Sequence, residues 1–150
     1  MSARILVING PNINLLGMRE PNIYGTTDYA GLLELIRTEA AELDVEVEFF
    51  QSNHEGAIVD AIQDACGKFD GIIINPAAYT HTSVALLDAV KAVGLPTVEV
   101  HISDPDTRDG FRKVSYIRSA CIATVKGRGL PGYVDALKLL CARLAGERQL

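Results

Sequence analysis

Five times along this chain a short apolar run gives way to polar residues and then to a stretch with helical spacing. The runs are Ile5–Ile8, Val45–Phe50, Ile72–Ile74, Pro96–Val100 and Ala120–Val125. Short apolar runs rich in β-branched residues read as buried strands. Each intervening stretch places apolar residues on one helical face. A helix begins near Asp28 and buries Leu32, Leu33, Ile36, Ala40 and Leu43. The next buries Ile58, Ala61, Ile62 and Ala65 and closes at Gly67. A third is capped by Thr82 or Ser83, buries Leu86, Leu87 and Val90, and ends at Gly94. Thr107 to Arg112 is expected to form a short helical turn. The last helix starts at Pro131, buries Val134, Leu137, Leu140, Cys141 and Leu144, and ends at Gly146.

Strands alternating with amphipathic helices imply a parallel sheet covered on both faces. The expected fold is α/β, a three-layer flavodoxin-like architecture with a five-stranded parallel sheet of order 2-1-3-4-5. The alternation Val45-Glu-Val-Glu assigns the second strand to an edge. The chain of 150 residues reads as a single domain spanning 1–150. From Asn9 to Thr27 the first connection runs 19 residues, far beyond the usual 2–6 or so. It reads as a lid over about 17–27, carrying Arg19, Glu20 and Tyr24 with Gly17 and Gly25 as hinges.

Ligands bind open parallel sheets in the crevice beyond the carboxyl ends of the strands. The order 2-1-3-4-5 would bring Asn9, Asn12, Asn75, His81, His101 and Ser103 together there. A net charge of −5 argues against nucleic acid or an anionic membrane as partner. Yet Arg108, Arg112, Lys113, Arg118, Lys126 and Arg128 fall within 21 residues, which suits a small anionic ligand. Cys66, Cys121 and Cys141 lack paired spacing and read as buried free thiols. With only a short apolar run near the start, a cytoplasmic protein is expected.

The chain has no phosphate-binding G-x-x-x-x-G-K-[ST] and no G-x-G-x-x-G after its first strand. No lysine ends strands one to four, so a Schiff base has no obvious nucleophile. His81 and His101 lack a third metal ligand at a neighbouring strand end; Glu99, two residues before His101, reads as support for it. What remains is neutral amides, two imidazoles, a hydroxyl, arginines and a tyrosine on a loop. Amides stabilise an oxyanion or enolate, imidazole moves protons near neutral pH, and Arg19 would favour a Tyr24 phenolate. The set fits proton abstraction beside a carbonyl with acid-assisted loss of a hydroxyl. Taken singly, Tyr24 reads more readily as a packing aromatic, and each histidine as a satisfied structural residue. A flavin- or nucleotide-binding module, with Gly127-Arg-Gly129 as its turn, is the alternative.

The segments Asn9–Asn12, Arg19–Pro21 with Tyr24-Gly25, Gln51–Gly56, Asn75–Ser83, Glu99–Ser103, Arg108–Arg112, Ser115-Tyr116 and Gly132-Tyr133 resemble type II 3-dehydroquinate dehydratase. The resemblance implies trans-dehydration of 3-dehydroquinate to 3-dehydroshikimate through an enolate, with no cofactor and no metal. It implies Tyr24 as the base at C2, Arg19 as the group favouring its phenolate, Asn12 at the enolate oxygen, and His101 as the general acid. Ile102 and Ser103 would hold the substrate carboxylate, and Asn75, His81 and Arg112 its hydroxyls. Glu99, Glu20 and Arg108 would support these groups. Asp88 would reach the site from a neighbouring subunit, within a homododecamer built as a tetramer of trimers. The chain departs from the family pattern at Asp104 (usually Asn), Arg118 (commonly Ser), Ala123 (often Gly) and Arg128 (usually apolar).

Overall fold

A computed structural model describes residues 2–18 and 27–148. Its sheet is formed by β1 (Arg4–Asn9), β2 (Glu46–Gln51), β3 (Gly71–Asn75), β4 (Thr97–Val100) and β5 (Ala123–Val125). All pairings are parallel and the strand order is 2-1-3-4-5. Asn9 stands opposite Gln51 on one side and Asn75 on the other, so three strands end level. Ile74 pairs with Glu99, and Val100 with Val125.

Period-two alternation then sorts the core. Ile5, Val7, Ile73, Val98 and Val100 face α1 (Tyr29–Glu42) and α4 (Pro131–Arg148). Leu6, Ile8, Ile72 and Ile74 face α2 (Glu55–Asp64) and α3 (Val84–Val93). The expected three-layer fold is therefore the one observed. β2 lies at the edge, with Glu46 and Glu48 exposed.

Local signals act as the chemistry predicts. Asp28 caps α1, its Oδ1 accepting from the Gly31 N–H at 2.9 Å. Ser83, rather than Thr82, caps α3 by accepting from the Leu86 N–H at 3.0 Å. Gly94 closes α3 at φ 71°, where a side chain would be strained. The turn expected over 107–112 is two short 3₁₀ turns, Pro105–Thr107 and Gly110–Lys113.

Three expectations need correcting. β5 is shorter than the apolar run, because Arg118–Ala120 forms a 3₁₀ turn below the fully buried Ile117. α4 continues through Gly146 to Arg148; Gly146 has no positive φ and so imposes no stop. Cys66 is exposed, since the buried face of α2 passes through Ile58, Ile62 and Ala65, and Cys66 lies off that line. Cys121 and Cys141 are half-buried free thiols, and burial pushes the Cys121 thiol up to about 12. Among the described residues no helix is long and apolar enough to cross a membrane.

Candidate active site

One pocket opens beyond the carboxyl ends of β1, β3 and β4. Its first wall is the loop after β1, with Pro11, Asn12, Ile13, Leu15 and Leu16. Its second follows β3, with Asn75, Ala77, Ala78 and His81. Its third follows β4, with His101, Ile102 and Ser103, then Pro105, Arg108 and Arg112 from the two 3₁₀ turns. The Asn12, Asn75, His81, His101, Ile102, Ser103, Arg108 and Arg112 expected at one site thus share a single cavity.

The first wall needs a close approach. A Cβ on Gly10 would sit 2.5 Å from the Pro76 carbonyl oxygen, so only glycine lets β1 and β3 end side by side here. The Gly10 N–H donates to the Asn75 carbonyl at 2.8 Å. Beyond it Asn12 takes a left-handed φ of 70°. Its N–H donates to Asn53 Oδ1 at 3.0 Å, while Gln51 Nε2 donates to the Gly10 carbonyl at 3.1 Å. The polar end of β2 therefore braces the Asn12 loop without lining the pocket.

Asn9 is not a wall residue. It is buried, and its Oδ1 accepts from the Tyr133 hydroxyl at 2.6 Å. Asn75 Nδ2 donates to the same hydroxyl at 2.8 Å, and Asn75 Oδ1 accepts from the Ala77 N–H at 3.0 Å. Tyr133, on α4, thus bolts the ends of β1 and β3 together from beneath. No role for Tyr133 was legible in the sequence, because 124 residues separate it from Asn9.

Glu99 lies behind His101, wholly buried in β4. A buried carboxylate needs partners, and this one has five. Its Oε2 accepts from Thr80 Oγ1 at 2.8 Å, Ser115 Oγ at 2.6 Å and His101 Nε2 at 2.7 Å. Its Oε1 accepts from Thr124 Oγ1 at 2.9 Å and Arg118 Nε at 3.4 Å. Burial alone would raise the carboxyl pKa. The bond from His101, that ring's charge, and the hydroxyls of Ser115 and Thr80 outweigh burial and hold it at about 2. An ionised carboxylate only accepts, so His101 Nε2 keeps its hydrogen and Nδ1 is the ring nitrogen left to exchange protons. The charged Glu99 inside an apolar run was a signal that partners must exist. Their identities come from register, which sets Thr124 directly opposite Glu99.

His81 is held differently. Its Nδ1 lies 2.6 Å from the Val114 carbonyl, which can only accept, so Nδ1 carries a hydrogen. Burial lowers its pKa; the carbonyl opposes this, and the charges of His101 and Arg112 add to it. His81 is thus neutral near pH 7, with Nε2 a lone-pair acceptor. Arg112 is steadied by Asp109 at 3.2 Å and stacks over Phe111 at 5.1 Å.

Asp104 does not face the pocket. Its Oδ1 accepts from the Asp106 N–H at 3.0 Å and lies 3.6 Å from Lys126 Nζ. Asp88 is exposed on α3, outside the cavity of its own chain. Tyr24, Arg19 and Glu20, with most of the expected lid, lie outside the described residues.

Comparison with known proteins adds a second line of evidence. The family model described as dehydroquinase class II matches residues 3–141. The chain is 56% identical over 138 residues to a 3-dehydroquinate dehydratase of Caldicellulosiruptor saccharolyticus, covering 91% of this chain and 95% of that protein. It is 53% identical over 138 residues to a catabolic 3-dehydroquinase of Verticillium alfalfae, covering 92% of each. The crystal structure of a type II dehydroquinase from Butyrivibrio crossotus superposes with a TM-score of 0.91 at 48% identity, covering 93% of this chain and 97% of that one.

Proposed function

The chain belongs to the class II dehydroquinase family, and from that premise we propose how its pocket performs the family's reaction. The protein is a hydro-lyase that converts 3-dehydroquinate to 3-dehydroshikimate through an enolate, a step common to aromatic biosynthesis and quinate breakdown. The observation that carries the mechanism is the 2.7 Å bond between His101 Nε2 and an ionised Glu99.

Tyr24, as phenolate favoured by Arg19, takes the C2 proton. The electron pair passes to the carbonyl oxygen, where Asn12 stands as donor. Collapse of the enolate expels the hydroxyl, which leaves as water with a proton from His101 Nδ1. The first step moves a proton from C2 to Tyr24. The second forms the C=C bond, breaks the C–O bond and moves a proton from His101 to the leaving oxygen, so the sum is loss of one water with no external oxidant or reductant. Glu99 orients His101 and stabilises its imidazolium form. The cradle of Ile102 and Ser103 holds the carboxylate. Arg112, neutral His81 and the remaining Asn75 N–H hold ring hydroxyls, with Glu20 and Arg108 in support. The small anionic substrate matches the two arginines on the wall.

Residues 17–27 act as the lid of one catalytic domain. Asp88 completes a neighbour's site in a dodecamer of four trimers; its exposure on α3, away from its own pocket, supports this role. Three unpaired cysteines and a soluble substrate support a cytoplasmic setting.

Enone formation from 3-dehydroquinate, followed by near-ultraviolet absorbance, tests the activity; folded, assembled protein that gives no signal would refute it. Tyr24→Phe should lower kcat by at least about a hundredfold while KM changes little. Unchanged turnover in that variant would remove Tyr24 from the mechanism.

A further inference from the structure

The chain leaves β4 at Val100 and lines the pocket over the next three residues. Those residues are laced to β5 and the turn after it. The His101 N–H donates to the Val125 carbonyl at 2.8 Å, the Gly129 N–H to Ile102 at 2.9 Å, and the Gly127 N–H to Ser103 at 3.1 Å. Beyond Ser103 the turn's own backbone bonds are local, from Thr107 N–H to the Asp104 carbonyl and from Arg108 N–H to that of Pro105, both at 3.2 Å. That turn supplies Pro105 and Arg108 to the pocket wall. Across from it, at the end of β5, Lys126 extends its ammonium to Asp106 Oδ2 and to Asp104 Oδ1.

We propose that Lys126 is a positioning residue for substrate binding: by bridging Asp104 and Asp106 it holds the turn after Ser103 in the place that aligns the carboxylate cradle and Arg108. Two carboxylates two residues apart, beside a site for an anion, repel each other and the substrate unless a cation lies between them. Lys126 answers both needs. Its bond to Asp106 raises the lysine pKa, so the bridge stays charged at working pH. It also accounts for Asp104. A negative side chain is tolerated next to the cradle because it is turned outward and neutralised. Lys126 does not line the pocket and acts through the turn. The inference rests on the reading of residues 102–103 as the carboxylate cradle.

Steady-state kinetics of the assembled enzyme with 3-dehydroquinate tests it, using K126M, K126R, D106N and D106N/K126M. K126M should raise KM about tenfold with kcat within about threefold, the signature of lost ground-state positioning. K126R should stay within about twofold of the parent in both constants. D106N should raise KM at least about threefold, and the double variant should be no weaker than K126M, since both changes cut one bridge. A K126M or D106N enzyme with unchanged KM overturns the proposal. So do multiplicative losses in the double variant, or a fall in kcat at constant KM. If K126M does not assemble, D106N and K126R decide. An inactive parent would instead strike the catalytic reading, which keeps the two failures apart.

Discussion

Glu99 is a charged residue placed where the strand pattern asks for valine or isoleucine, and the protein surrounds it with donors from four directions. Thr80 comes from the 3₁₀ turn Ala77–His81 after β3, Ser115 from a loop, Thr124 from β5 and Arg118 from the 3₁₀ turn before it. The charge is thereby kept, and kept pointing at His101. This has a consequence for stability. The carboxyl titrates at about 2 in the folded protein against 4.5 ordinarily. Between those values the unfolded chain binds more protons, so stability rises with pH across that window and is lost as pH falls through it. At about 1.4 kcal/mol per unit, this contribution is of order 3 kcal/mol. Urea midpoints of the parent should therefore fall from about pH 4.5 to 2, and Glu99→Gln should remove much of that slope. The variant should also lose at least about tenfold in kcat, because a neutral amide polarises His101 less and presents its own N–H to Thr124 or Arg118. A Glu99→Gln enzyme with parental kcat would show that the pair is structural only.

The elements meet at Gly10. Parallel neighbours β1 and β3 must end side by side for Asn12 and His81 to share a cavity. The chain after β1 crosses within bonding distance of Asn75. Gly10→Ala puts a methyl group against the Pro76 carbonyl, a backbone atom that cannot step aside. The expected cost is about 2–4 kcal/mol, from steric displacement and the strained hydrogen bond to Asn75. Thermal denaturation would read this as a clear fall in Tm, with kcat reduced because the Asn12 loop moves. An alanine variant with parental Tm would mean that the two strand ends separate freely. Ser83, Asp28 and Gly94 belong to the same scale, but each governs its own helix end; Gly94 was legible as a stop, Ser83 as one of two candidate caps, and Asp28 as the place where a helix begins.

For the whole molecule, the proposed assembly implies that the site of one chain is completed by another. Asp88 stands on the solvent side of α3, and the proposed assembly brings it to a neighbour's substrate. Co-expression of Asp88→Ala and Tyr24→Phe subunits tests this directly. Each variant alone should be nearly inactive. Random mixing should restore roughly a quarter of the sites, each taking Tyr24 from one chain and Asp88 from the next. Mixed oligomers no more active than either parent variant would confine Asp88 to its own chain.

Much of this was written along the chain. Five apolar runs with amphipathic partners dictate a covered parallel sheet, since neither kind of surface is stable in water alone. Caps, glycines and prolines set helix ends through contacts reaching only a few residues. The polar residues at the run ends announce a site on one edge, because parallel strands all end on the same side. Tertiary structure decided what local contacts cannot reach. Register chose Thr124 as a donor to Glu99. Packing of α4 brought Tyr133 beneath Asn9 and Asn75. The crossing at the end of β5 turned Asp104 towards Lys126 and out of the pocket. These pairings join residues 22 to 124 positions apart. Sequence spacing says nothing about such distances until the sheet is assembled.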